Sequence, residues 1–469
     1  MPAPLIFVGA PVLLAPIAYL LHRSRAVAAL SSALVAGLLA FLAVTLPFGR
    51  PVSWLAGLTV PDSMTILGRS FLVEPSDRLA LAFIFAQAAL LFLVSVLGET
   101  SAGLYGAGLG ILGLLAAALF VRPFLFAALF IQLAAALAVF MLAGGSTGST
   151  AIRGALRYLV YTTLATPFIL LTGWLIEAAG ASPGDTAFTG QATTLLIIGF
   201  AILLSVAPFH SWLPVVAEQA SPFAAAFVFS VLRHGLVFLL LTFLNNYPWL
   251  SQNPTVYRVL TLGGGGMALV GAVFAFGQRN LGRVLGYVML VDIGAVMLGI
   301  GLGTLAGVEA ALAGLAMRGL ALPMWAAGLD YLRQNTGGDD FETLVGAARR
   351  YPVPAAAAVV GLLSLAGFPL TAGFAARWPL LFLLAQIHPS AAILLLVGLL
   401  SIAFVALRAL FSLLGPVTQA EAAEPAPMPP VSLALYALGF VVVFVVGLFP
   451  QWLLPAVAGT ASALAQYVR

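Results

Sequence analysis

The sequence predicts an all-α polytopic membrane protein of about 14 transmembrane helices, two of them interrupted. Three observations carry this. The chain has 469 residues, 62% hydrophobic and only 7% charged, with mean hydropathy +1.13. A soluble domain carries roughly 25% charged residues, so this chain cannot cover a water-facing surface. Apolar stretches of about 20 residues, the length that spans a bilayer, recur throughout without period-2 alternation, which favours helices over a barrel. Two Pro/Gly clusters break that pattern inside otherwise apolar segments.

The elements follow in order. Apolar stretches start near residues 4, 26 and 77 and make an N-terminal group, 1–101. The first of them, Leu5 to Leu21, lacks the charged start of a cleavable signal and continues into further spans. Five stretches, starting near 102, 123, 154, 192 and 222, fall within 102–245, and five more, near 256, 284, 306, 353 and 389, within 256–414. The segment 415–469 holds a polar loop, Glu421 to Pro430, stiffened by Pro, and a last span from about 431.

The first break is Ala207-Pro208-Phe209-His210-Ser211-Trp212-Leu213-Pro214, followed by Pro222; the second is Gly367-Phe368-Pro369-Leu370-Thr371-Ala372-Gly373-Phe374. Pro removes a backbone donor and clashes with the preceding turn. Interrupted helices in corresponding halves of a transporter mark its binding or conduction region. The competing reading is that these residues only kink ordinary spans. Within the first apolar stretch of the second group, Gly263-Gly264-Gly265-Gly266 reads as close helix packing rather than a phosphate loop.

All 19 basic residues are Arg, and Lys and Cys are absent. The net charge of +4 therefore rests on groups that do not deprotonate. Disulfides, thiolate metal sites and thiol catalysis are excluded. The short loops with Arg23 and Arg25, Arg153 and Arg157, Arg279 and Arg283, and Arg349 and Arg350 fall on one side, which the positive-inside rule makes cytoplasmic. Both termini then lie on the outer side, as do Arg50, Arg69 and Arg122 against the rule.

The motifs resemble a known family. Gly199-Phe200-Ala201 with Pro208-Phe209-His210-Ser211-Trp212-Leu213-Pro214 is similar to its "G-F-x…P-F-H-x-W-x-P" signature. Asn280-Leu281-Gly282-Arg283-Val284-Leu285-Gly286-Tyr287 resembles "N-x-K-R-x-L-A-Y-S", Phe341 to Pro352 resembles "L-G-G-L-x-R-x-x-P", and Ser364 to Phe374 resembles "S-L-A-G-I-P-P-x-x-G-F". The family is the antiporter-like membrane subunits of respiratory complex I, shared with energy-converting membrane hydrogenases and Mrp-type cation/proton antiporters. The resemblance implies two inverted five-helix repeats, each with an interrupted helix, and a midplane row of Lys and Glu that passes protons.

Against that pattern the titratable row is depleted. The family's Glu falls at Gln132, one Lys at Leu203, one at Arg233 or His234, one near Pro323, and the Lys or Glu after the second break at Arg377. Arg keeps the charge but not the proton chemistry. The remaining proton-path candidates are His234, Asp292, Glu309, Arg318 and His210, with Arg233, Arg377 and Gln132 at the substituted positions. An imidazole has an ordinary pKa of about 6.5 and carries a proton in either direction. His234 reads either as a relay or as a neutral side chain bonded to a backbone carbonyl. His210 reads as a structural hydrogen bond at the break. Asp292, Glu309 and Arg318 are relay members or salt-bridged packing residues, and Asp292, Glu309 and Asp330 are the candidate ion partners of the arginines in the spans. Trp212, Trp325 and Trp378 read as packing or interface residues.

The four His residues have no metal-ligand spacing, so neither metal nor other cofactor is expected in this chain. The resemblance places flavin, iron–sulfur or metal centres in partner subunits. It implies a multi-pass subunit of a prokaryotic cytoplasmic (inner) membrane complex, in contact with lipid and with other membrane and peripheral subunits, handling protons or Na⁺ and no nucleic acid. Three functions stay open: a subunit of a complex I-like, NADH/quinone or hydrogenase-type, redox-driven proton pump; a non-pumping structural or docking subunit; and an ion-coupled partner in an inorganic-carbon uptake complex.

Overall fold

The computed structural model describes residues 2–47, 59–66, 68–100, 102–144, 149–181, 186–416 and 427–468. Part of the loop around 48–76, Arg50 included, and most of the polar segment from Glu421 lie outside the described residues. In chain order the helices are α1 (Leu5–Arg23), α2 (Arg25–Thr45), α3 (Pro75–Leu97), α4 (Gly103–Phe120), α5 (Phe124–Ala143), α6 (Ala151–Gly180), α7 (Ala187–Leu203), α8 (Trp212–Gln219), α9 (Pro222–Asn246), α10 (Pro254–Phe276), α11 (Leu281–Gly301), α12 (Leu305–Thr336), α13 (Pro352–Leu365), α14 (Phe374–Ile387), α15 (Pro389–Leu413), α16 (Pro430–Leu448) and α17 (Leu454–Leu464).

Among the described residues, 12 helices are long and apolar enough to cross a membrane alone. Two further crossings are split. The halves α7 and α8 flank the first Pro cluster, and α13 and α14 flank the second, so both expected interruptions are present. The chain is a multi-pass, all-α membrane protein. A small antiparallel sheet, not read from the sequence, adds β1 (Ser63–Ile66), β2 (Arg69–Leu72) and β3 (Val121–Arg122). Its four-residue strands are too short for an alternating pattern to stand out.

Local chemistry sets the helix starts. Pro opens α3, α9, α10, α13, α15 and α16, where its missing N–H has no partner to lose. Pro222 belongs to this group: it begins α9, capped by Ser221 Oγ accepting from the Ala224 amide at 3.3 Å, rather than breaking a helix. Asn280 caps α11 and Thr304 caps α12 in the same way.

Burial ranks the helices. Along the apolar stretches of α9 and α11 every residue is buried, against 17% in α1 and 11% in α16. The centre is therefore built from α9, α11 and α12, with α4 beside them. Gly supplies the close approaches. A Cβ on Gly264 (α10) would come 2.6 Å from the Gly294 carbonyl of α11, so the Gly run packs as expected. A Cβ on Gly286 (α11) would come 2.3 Å from Pro214 Cα of α8. The first split crossing is thus bound to the central helices by backbone contact.

Candidate functional site

The site begins where α7 stops. The last carbonyls of a helix have no intrahelical donor and carry negative partial charge. Arg233, on the second half of α9, reaches this end: Nη1 donates to the Leu204 carbonyl (2.8 Å) and Nη2 to Ser205 Oγ (2.9 Å). Ser205 has φ +59°, a left-handed conformation that turns its hydroxyl toward the break. Trp212 Nε1 donates to the same Oγ at 2.8 Å, and the Arg233 guanidinium lies 5.0 Å from the Trp212 ring centroid. A helix terminus and a ring face thus receive a guanidinium that is 1% exposed.

His234, the next residue, points between helices. Its Nδ1 lies 2.5 Å from the Ser230 carbonyl of α9 and its Nε2 3.0 Å from the Leu315 carbonyl of α12. The ring packs on Phe83 of α3, centroids 5.3 Å apart. Neutral imidazole has one N–H and satisfies one of these carbonyls, whereas imidazolium satisfies both.

One turn beyond Leu315, Arg318 Nη1 donates to Asp292 Oδ2 of α11 at 2.5 Å. Arg377 Nη2 donates to the other oxygen, Oδ1. All three side chains are 5% exposed or less. Arg377 sits in the first turn of α14, just after the second break, where the helix dipole disfavours a cation. The Asp292 carboxylate offsets that. Gly314 makes room for Arg377: a Cβ there would lie 3.2 Å from Nη1. Glu309 is half-buried and lines a cavity of about 320 Å³ with Ala375, Ala376, Pro379 and residues of α17.

The structure therefore brings Asp292, Arg318 and Arg377 into one ion cluster, links it through Leu315 to His234 and Arg233, and sets Glu309 beside it. Glu309 and Asp330 are not ion-paired with Arg318. Asp330 instead accepts from the Glu99 amide at 2.8 Å. Gln132 lies apart from the row, half-buried, donating to Thr163 Oγ1 at 2.7 Å across α5 and α6. His210 is half-buried in the break, and its Nδ1 finds no hydrogen-bond partner among the described residues. The structural hydrogen bond expected of it is made by Trp212 and Ser205 instead. The Pro208 peptide bond is cis, Pro214 lies in α8, and Pro369 lies in the second break between Gly367 and Leu370, both at φ +72°. Trp212 and Trp325 are buried, and Trp378 is 59% exposed. The residues missed from the sequence are Ser205, Leu204 and Leu315, whose roles depend on backbone conformation or on helix contacts.

Similarity to known proteins decides the family of a chain with two split crossings set against a central ion cluster. The family model described as NADH:quinone oxidoreductase/Mrp antiporter, TM, matches residues 124–403. The chain belongs to this family. NADH-quinone oxidoreductase subunit N of Rhodopseudomonas palustris is 30% identical over 382 residues, covering 80% of this chain and 78% of that protein. Two solved structures share the fold. A chain of the archaeal membrane-bound sulfane sulfur reductase superimposes with TM-score 0.79 at 18% identity, covering 99% of both chains. A chain of respiratory complex I from Thermus thermophilus does so with TM-score 0.78 at 21% identity, covering 100% of this chain and 99% of that one. This member of the antiporter family is an antiporter-like membrane subunit.

Proposed function

We propose that the chain serves a complex I-like, redox-driven proton-translocating assembly, and that its proton route runs through His234. The relatives named above are subunits of respiratory complexes, which supports a multisubunit setting. The electron-carrying centres then belong to partner subunits. The expected repeats, 102–245 and 256–414, meet at His234: Ser230 belongs to the first and Leu315 to the second. That double contact is the observation that carries the reading. A proton taken up by the ring gains a second carbonyl acceptor, and one released from it returns the ring to a single donor.

The guanidinium groups do not release protons. They supply a fixed positive field on either side of the ring. Glu309, with its cavity near the start of α12, is the acidic end of the route. With Arg-rich loops in the cytoplasm and both termini outside, that end faces outward in a prokaryotic cytoplasmic membrane.

The test is His234→Ala in the intact complex. Coupled proton movement falls while the assembled complex and its electron transfer persist. Full retention of proton movement defeats the reading. It would favour the non-pumping docking subunit, which the closed Arg318–Asp292–Arg377 cluster and the buried Leu203 in a lysine position also suit.

A further inference from the structure

The central row is over-charged. Arg233, Arg318 and Arg377 are each 5% exposed or less and hold their charge permanently. Against three positive groups the fully buried part of the row offers one carboxylate, Asp292, leaving an excess of two (3 − 1), while the half-buried Glu309 makes no ion pair with them. The α7 terminus offsets roughly half a charge at Arg233. Each uncompensated buried ion costs several kcal/mol. The other buried acids of the described residues are engaged elsewhere. Asp77 pairs with Arg122 at 3.6 Å and Asp339 with Arg333 at 2.5 Å. Asp330 lies 12 residues along α12 from Arg318, about 18 Å at 1.5 Å per residue.

The missing charge has a docking edge. Arg318 spends Nη1 on Asp292. Its Nε and Nη2, which form the opposite, forked edge of the guanidinium, are buried and find no partner among the described residues. Such an edge presents two parallel N–H groups, the geometry that grips an anion bidentately. Gln87 of α3 packs directly over the neighbouring Gly319, where a Cβ would lie 1.5 Å from its Nε2, so a side-chain amide adjoins this turn of α12, its Oε1 buried and without a partner among the described residues. Side chains of a neighbouring subunit are shut out, because the row is closed to the surface. The occupant must be small.

We propose that the forked edge of Arg318, between α3, α9 and α12, binds a small monovalent inorganic anion of chloride size, which offsets one of the two excess charges of the arginine row. The site is independent of whether His234 carries a proton. It is a structural counter-ion site, required because a buried arginine does not shed its charge.

Bromide is the probe. Crystals of the complex grown in bromide and measured at its absorption edge should show an anomalous peak in hydrogen-bond contact with Arg318 Nε and Nη2. In parallel, the unfolding midpoint of the detergent-purified complex should rise saturably when chloride replaces gluconate at constant ionic strength. Gln87→Leu should weaken that halide dependence, and Arg318→Lys, which keeps the charge but loses the fork, should abolish it. If Arg318→Lys does not assemble, the bromide map and Gln87→Leu decide. No peak at Arg318, a peak only elsewhere as an adventitious ion, or a midpoint indifferent to chloride overturns the proposal.

Discussion

Asp292 holds two guanidinium groups on one carboxylate, and this sets the energetics of the interior. Removing one partner of a buried pair leaves an uncompensated charge and costs about 3–5 kcal/mol. Asp292→Asn strands two such charges, Arg377→Gln strands none, because Arg318 keeps Asp292. Arg377 also sits where the α14 dipole opposes it. Asp292→Asn should therefore lower the unfolding midpoint of the purified complex well beyond Arg377→Gln, and equal losses would contradict this ranking. At this scale the sequence was a partial guide. Asp292, Arg318 and Arg377 stand out as rare charges in apolar spans, which have to find one another. The partners of Arg233 did not stand out. They are a carbonyl and a hydroxyl exposed by the end of α7, and only the left-handed Ser205 brings them into reach.

Among elements, α11 ties the two interruptions together. Its first half meets α8 through Gly286, and its middle meets α14 through Asp292 and Arg377. A methyl on Gly286 would collide with the backbone of Leu213 and Pro214, which cannot rotate away. Gly286→Ala should thus destabilise the complex and disturb the first break, seen as faster amide exchange in α8. Gly266→Ala in α10, whose added methyl meets nothing within 4 Å, should instead be neutral or stabilising by up to about 1 kcal/mol. Parity between the two variants would refute the packing argument. The breaks were legible because Pro and Gly interrupt a helix whatever surrounds them. The β1–β2 hairpin was not, since its strands are short and mostly exposed.

For the whole molecule, the span count was legible in hydropathy alone, because the bilayer fixes helix length and backbone satisfaction independently of packing. The order of burial was not. Helices α9 and α11 are as apolar as the peripheral α1, yet only the first two are fully enclosed. The outer face of α5 and α6 keeps polar groups, with Gln132 on Thr163 and Tyr161 on Ser211 at 2.9 Å. Such groups are costly against lipid, and a neighbouring subunit on this face would cover them. Thr163→Trp, a bulky change at an exposed position, should then weaken assembly in native gels without unfolding the chain. Intact assembly would remove this face from the interface.

The central claim is that a proton crosses between the two halves of the molecule on an imidazole set in a field of arginines. The direct measurement is the number of protons moved per electron by the reconstituted complex carrying His234→Gln, which keeps a hydrogen-bonding side chain but cannot titrate. A ratio below that of the unaltered complex, with electron transfer retained, is the predicted result. An unaltered ratio contradicts the account.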